Sequence, residues 1–111
     1  MRASIYKSAV KGRVRAPASK SYTIRGLVSA ALARGESKII HPLSSGDTEA
    51  AASVLRQIGI RVRQEGDLWP VSGGDFCEPE ADLFCGESAA TLRFMTAIGS
   101  LIPGRCRLTS A

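Results

Sequence analysis

Residues 19–43, SKSYTIRGLVSAALARGESKIIHPL, contain a helix start, an apolar stripe, a stop and a strand in immediate succession. Ile24, Leu27, Val28, Ala31 and Leu32 recur at i, i+3, i+4, i+7 and i+8, the face of a helix laid on a sheet. Pro17 breaks the preceding pattern, and Ser19 is a good N-cap because its hydroxyl accepts a backbone N–H left unpaired in the first turn. Gly35 is placed to stop the helix. SKIIHPL, residues 37–43, reads as the next strand.

Working outward, SSGDTEAAASVLRQIG (44–59) predicts a second helix capped by Ser45 or Asp47. Ala51, Val54, Leu55 and Ile58 form its buried stripe, and Gly59 closes it. IRVRQE (60–65) alternates apolar and charged residues like a half-exposed strand, and GDLWPVSG (66–73) pairs with it across a Glu65-Gly66-Asp67 turn. Residues 73–82 read as a loop. GESAATLRFMTAIGSLIPG (86–104) predicts a third helix with Leu92, Met95, Ile98 and Ile102 on one side, and a close helix–sheet contact explains Gly99. RCRLTS (105–110) is a further strand, after which the chain stops as though truncated. Towards the N-terminus, ASIYKSAV (3–10) and GRVRA (12–16) read as two short strands turning at Lys11-Gly12. An echo at an offset of 68 to 69 residues, with Arg25 and Arg93 each six residues after Ser19 and Glu87, suggests repeated β-α-β units.

The 111 residues suit one α/β domain, and 44% hydrophobic with 23% charged residues is ordinary globular composition. No apolar run approaches the roughly 20 residues that cross a bilayer, and the first residues lack the apolar core of a signal peptide, so a cytoplasmic location is expected. Cys77, Cys85 and Cys106 are odd in number and show no Cys-x-x-Cys spacing; free thiols are expected. His41, before Pro42 at a strand end, reads as structural, which leaves no metal site.

Charge is uneven. Residues 1–38 carry nine Lys/Arg against Glu36 alone, whereas residues 66–111 hold three Arg against six acids. The basic third calls for an anionic partner, either a small phosphorylated ligand or, as the rival from another class, nucleic acid. Only Tyr6 and Tyr22 lie among these cations, too few to stack single-stranded bases, so a small anion is favoured.

Lys20 sits where the helix dipole disfavours a cation by a few tenths of a kcal/mol to about 1. The placement makes sense if an anion occupies the helix end. Lys20, the Ser21 hydroxyl, the Arg25 guanidinium and free backbone amides would then converge on it, and Ser21 and Arg25 are i, i+4. A solvated start without ligand has the same spacing. The third helix start repeats the pattern with Gly86, Glu87, Ser88, Ala89 and Ala90, small residues that admit close approach. Glu87 reads as a simple N-terminal acid, and Asp47 as a cap or a cleft residue.

These segments, with Ser-Lys-Ser before Arg25, Leu-x-Ser-x-Asp-Thr (43–48) and Gly-Glu-Ser…Leu-Arg-Phe (86–94), make the chain resemble the N-terminal part of the 5-enolpyruvylshikimate-3-phosphate synthase family over about residues 5–110. A sister family acting on UDP-N-acetylglucosamine has Lys-Asn in place of Lys20-Ser21 and ranks below. The resemblance implies repeated β-α-β-α-β-β units with helices on a mixed sheet. It implies residues 1–18 as opening strands that belong with a second globe, and 19–111 as the first substrate-binding units. The implied activity is transfer of the enolpyruvyl group of phosphoenolpyruvate to the 5-hydroxyl of shikimate 3-phosphate, through a tetrahedral intermediate with release of phosphate. No cofactor, metal, membrane or nucleic acid takes part.

By the same resemblance, Lys20 contacts both substrates and Ser21 and Arg25 bind shikimate 3-phosphate. Ala89 stands in the phosphoenolpyruvate pocket where many members have glycine, and Glu87 where many have asparagine. The Ala89 methyl is expected to reduce affinity for the inhibitor glyphosate. Further site residues of the family lie in the remainder of the polypeptide, beyond Ala111, so this fragment alone is expected to be inactive.

Overall fold

A computed structural model describes all residues, 1–111. The elements are α1 (Lys20–Leu32), β1 (Gly35–Ile40), α2 (Gly46–Gln57), β2 (Arg61–Val62), β3 (Leu68–Gly73), β4 (Leu83–Phe84), α3 (Ala89–Gly99) and β5 (Leu108–Thr109). β1, β3 and β2 form an antiparallel sheet in that order, with Gly35 opposite Gly73 and Ile40 opposite Leu68. β4 and β5 form a parallel pair connected through α3. The first group has the order α-β-α-β-β and the second β-α-β, so the two halves of the sequence echo share a helix followed by a strand, α1–β1 and α3–β5, but no strand precedes α1 to complete a first β-α-β unit. The match is inexact at the helix starts. The N-caps are Ser19 and Ser88, which sets Arg25 six residues and Arg93 five residues into their helices.

α1 forms for the reasons its sequence suggests. Ser19 Oγ accepts the Tyr22 N–H at 3.3 Å, and Ile24, Leu27, Ala30 and Ala31 are buried. Leu32, expected on that stripe, is the final residue of the helix and is exposed. The end of α1 meets β3 so closely that a methyl on Gly73 would overlap the carbonyl oxygens of Ala30, Ala31 and Ala33. Ser45, not Asp47, caps α2, and Ala51, Val54, Leu55 and Ile58 are all buried. Gly59 ends α2 at φ +96, a conformation that side chains rarely adopt. Buried residues from all three helices and from β2, β3 and β4 make one continuous core.

Three expectations are corrected. Residues 3–10 and 12–16 form no strands: Ile5, Val10 and Val14 are more than 90% exposed, and no neighbouring strand pairs with them. Alternation suits a sheet, but a strand exists only where a second one satisfies its backbone. The third helix spans Ala89–Gly99 rather than most of 86–104, so Ile102 is buried from the turn after it. Gly99 makes a close approach, but to Cys106 in the loop before β5 rather than to a sheet: an added Cβ would lie 3.0 Å from Sγ. The predicted strand 60–65 shrinks to two paired residues plus a bridge from Glu65 to Leu68 that closes the predicted turn.

His41 takes a left-handed φ of 50 and ends β1. Its N–H donates to the Asp67 carbonyl at 2.7 Å, and Nδ1 lies 3.3 Å from Asp67 Oδ2. These contacts tie the end of β1 to the turn before β3. All three cysteines are free, and burial pushes the Cys85 thiol pKa up. No helix is long and apolar enough to cross a membrane.

Candidate functional site

The starts of all three helices are tied together by hydroxyl side chains. Thr23 Oγ1 donates to the Ser19 carbonyl at 2.9 Å and accepts the Leu43 N–H at 2.9 Å, fastening α1 to the loop before α2. In the first turn of α2 the fully buried Thr48 Oγ1 accepts the Ser45 N–H at 2.9 Å and donates to the Leu43 carbonyl at 2.8 Å. At α3, Ser88 Oγ accepts the Thr91 N–H at 3.2 Å, and the Thr91 hydroxyl reaches the Asp47 carbonyl at 3.4 Å. Each buried hydroxyl therefore has a partner, and no buried side-chain polar atom is left unsatisfied. The positive ends of three helix dipoles are thereby held in one region.

A cavity of about 210 Å³ lies between α1 and α3, lined by Ser21, Arg25, Ala90, Arg93 and Phe94. Ser21 and Arg25 share it because residues four apart lie on one helix face. Neither Arg25 nor Arg93 forms an ion pair, although the chain forms ion pairs elsewhere. Two guanidinium groups and a hydroxyl around one concavity without a counter-ion suit an oxyanion. Arginine's planar fork matches phosphate or carboxylate geometry.

Lys20 does not line this cavity. One residue earlier on the helix, it turns towards α2, where Nζ lies 2.6 Å from Asp47 Oδ2. The four-way convergence on one anion expected from the sequence is thus divided: Ser21 and Arg25 face α3, and Lys20 faces Asp47. Glu87 and Ala89 are exposed at the start of α3, and the neighbouring Ala90 lines the cavity in their place. Arg93 also lines the cavity, and sequence reasoning did not single it out. The available signal was its echo of Arg25 at the other helix start. A larger concavity of about 570 Å³, between residues 15–19 and the end of β1, contains none of Lys20, Ser21 and Arg25.

The family model for EPSP synthase (3-phosphoshikimate 1-carboxyvinyltransferase) matches residues 6–110. A 3-phosphoshikimate 1-carboxyvinyltransferase of Dehalococcoides mccartyi is 47% identical over 110 residues, covering 97% of this chain and 26% of the relative. One from Methanothermobacter thermautotrophicus is 44% identical over 102 residues, covering 90% and 24%. The solved EPSP synthase from Acinetobacter baumannii superposes with a TM-score of 0.82 at 20% identity, over 89% of this chain and 23% of that one. The chain spans about a quarter of the length of these relatives.

Proposed function

The chain belongs to the EPSP synthase family, and from that membership we propose that it supplies the phosphate-gripping part of a carboxyvinyltransferase. The proposed reaction moves the enolpyruvyl group of phosphoenolpyruvate to the 5-hydroxyl of shikimate 3-phosphate, through a tetrahedral intermediate, with release of phosphate. It is a step towards aromatic amino acids, carried out in the cytoplasm without metal or organic cofactor.

One observation carries the reading: Arg25 and Arg93 face a shared cavity with Ser21 and have no acidic partner. In this proposal Ser21, Arg25 and Arg93 hold the phosphate of shikimate 3-phosphate. Lys20 approaches both substrates from the α2 side, and Ala89 borders the phosphoenolpyruvate pocket, where its methyl limits glyphosate. Both substrates are anions that repel one another. Cations held ready between them offset that repulsion and fix the attacking hydroxyl, and electrostatics and orientation are the two largest sources of catalysis open to such a site.

The remaining catalytic groups are proposed to come from the remainder of the polypeptide. Residues 1–18 then dock on the second globe, which supports reading their exposed apolar side chains as contacts awaiting a partner, and residues 19–111 form the first substrate-binding units. The 111-residue chain alone has no turnover.

Titrating the isotope-labelled chain with shikimate 3-phosphate, and separately with an oligonucleotide, tests the proposal. Shift changes confined to Ser21, Arg25, Arg93 and their neighbours are expected with the ester. Tighter, sequence-independent and steeply salt-dependent binding of the oligonucleotide would instead favour a nucleic-acid module.

A further inference from the structure

Lys20, proposed above to approach both substrates from the α2 side, is paired there with a carboxylate. We propose that Asp47 is a positioning residue, which holds the Lys20 ammonium in place and competes with anionic ligands for it. The proposal rests on the reading of the α1 start as part of a substrate site.

Lys20 Nζ and Asp47 Oδ2 are 2.6 Å apart, with the two side chains 52% and 25% exposed. Asp47 is the second residue of α2, where the helix dipole favours a carboxylate. Ser45 occupies the cap, and no other cation pairs with Asp47, so its charge is directed at Lys20 alone. The backbone of the same residue accepts the Thr91 hydroxyl at 3.4 Å. Asp47 therefore touches α1 through its side chain and α3 through its carbonyl, and it fixes where the ammonium stands relative to both.

Two consequences of opposite sign follow. A lysine on a four-carbon stem samples many rotamers, and the ion pair selects one. Without it the ammonium is free to leave the position the reaction needs, which lowers turnover by about tenfold or more. The same carboxylate draws on the positive charge, so ground-state anion binding is weaker than Lys20 alone would give. For a pair this exposed the effect is at most about fivefold. A residue that only supports the fold would weaken both quantities together.

The test compares Asp47→Asn, Asp47→Glu, Lys20→Ala and the Lys20→Ala/Asp47→Asn double variant. Binding of inorganic phosphate and of shikimate 3-phosphate is measured on the 111-residue chain, and kcat and KM on the full polypeptide that carries it. Asp47→Asn is expected to bind phosphate about two- to fivefold more tightly, with kcat down about tenfold and KM unchanged or lower. Asp47→Glu should recover part of kcat, and in the Lys20→Ala background Asp47→Asn should change neither quantity. Weaker phosphate binding in Asp47→Asn, an unchanged kcat, or an undiminished effect in the Lys20→Ala background would each overturn the positioning role. If Lys20→Ala itself leaves binding and turnover at parent levels, the anion-site reading fails with it. If Lys20→Ala is damaging and Asp47→Asn silent, only the role of Asp47 is lost.

Discussion

Replacing Arg25 by alanine separates an anion site from a surface that is merely basic. In the structure Arg25 lines the cavity of about 210 Å³ with Ser21 and Arg93 and has no ion-pair partner to lose. Its removal therefore leaves no carboxylate unpaired, and it relieves repulsion from Arg93. The ligand-free variant should melt at or slightly above the parent temperature. Binding should move the other way. A charge-assisted hydrogen bond contributes about 1.5–3 kcal/mol, and because Arg25 is exposed the lower end applies. About 1.5 kcal/mol corresponds to roughly tenfold weaker binding. Arg25→Lys keeps the charge but loses the two-pronged geometry, and should fall between parent and Arg25→Ala. Titration with shikimate 3-phosphate at low salt, followed by chemical shift and paired with thermal melts, measures both quantities. Parent-like affinity in Arg25→Ala would refute the reasoning, and so would a loss of stability above about 1 kcal/mol, the size of an ordinary structural substitution.

Further outcomes are expected elsewhere. Gly73→Ala drives a methyl into the carbonyl oxygens at the end of α1 and should destabilise the chain by about 1–3 kcal/mol, read from denaturant midpoints; a neutral result would mean that α1 and β3 are not in that contact. The Cys85 thiol is raised above its ordinary 9.0 by burial, so the folded state holds this proton more tightly than the unfolded state. Stability from that source is complete below pH 9.0 and is lost as pH rises past 9.0 towards the folded value, and Cys85→Ala should flatten this alkaline limb of a melting-temperature profile. In the full polypeptide Ala89→Gly should increase inhibition by glyphosate, and equal inhibition of both forms would show that the Ala89 methyl does not narrow the pocket.

Much of this fold is legible in the sequence, and the reason is range. α1 and α2 are set by apolar spacing within three turns and by serines one residue outside them, so the Ser19 cap and the larger apolar buried positions, Ile24, Leu27, Val54, Leu55 and Ile58, could be read directly, whereas the buried Thr23, Ala30, Thr48 and Ala52 could not. The turn at Gly66 and the ending at Gly59 are also local, because each needs a positive φ. The failures are non-local. β4 is two residues long, Leu83 and Phe84, with no alternation to detect, and it exists because β5 comes alongside it. Residues 3–16 have the alternation and lack the neighbour. Pro70 stands within the middle strand of the three, against its usual exclusion from such positions. Pairing with β2 is continued there by the Pro70 carbonyl, which accepts the Arg63 N–H at 3.0 Å.

The site divides along the same line. The one-dimensional chain determined that Lys20, Ser21 and Arg25 crowd one helix start, and that Ser21 and Arg25 share a face, because helical geometry follows from residue spacing alone. Only the packing of α1 against α2 and α3 decided which cations meet: Arg93 joins Arg25 across the cavity, and Lys20 turns away to Asp47. Those contacts depend on where elements separated by tens of residues come to rest, and close packing of the shared core sets that placement.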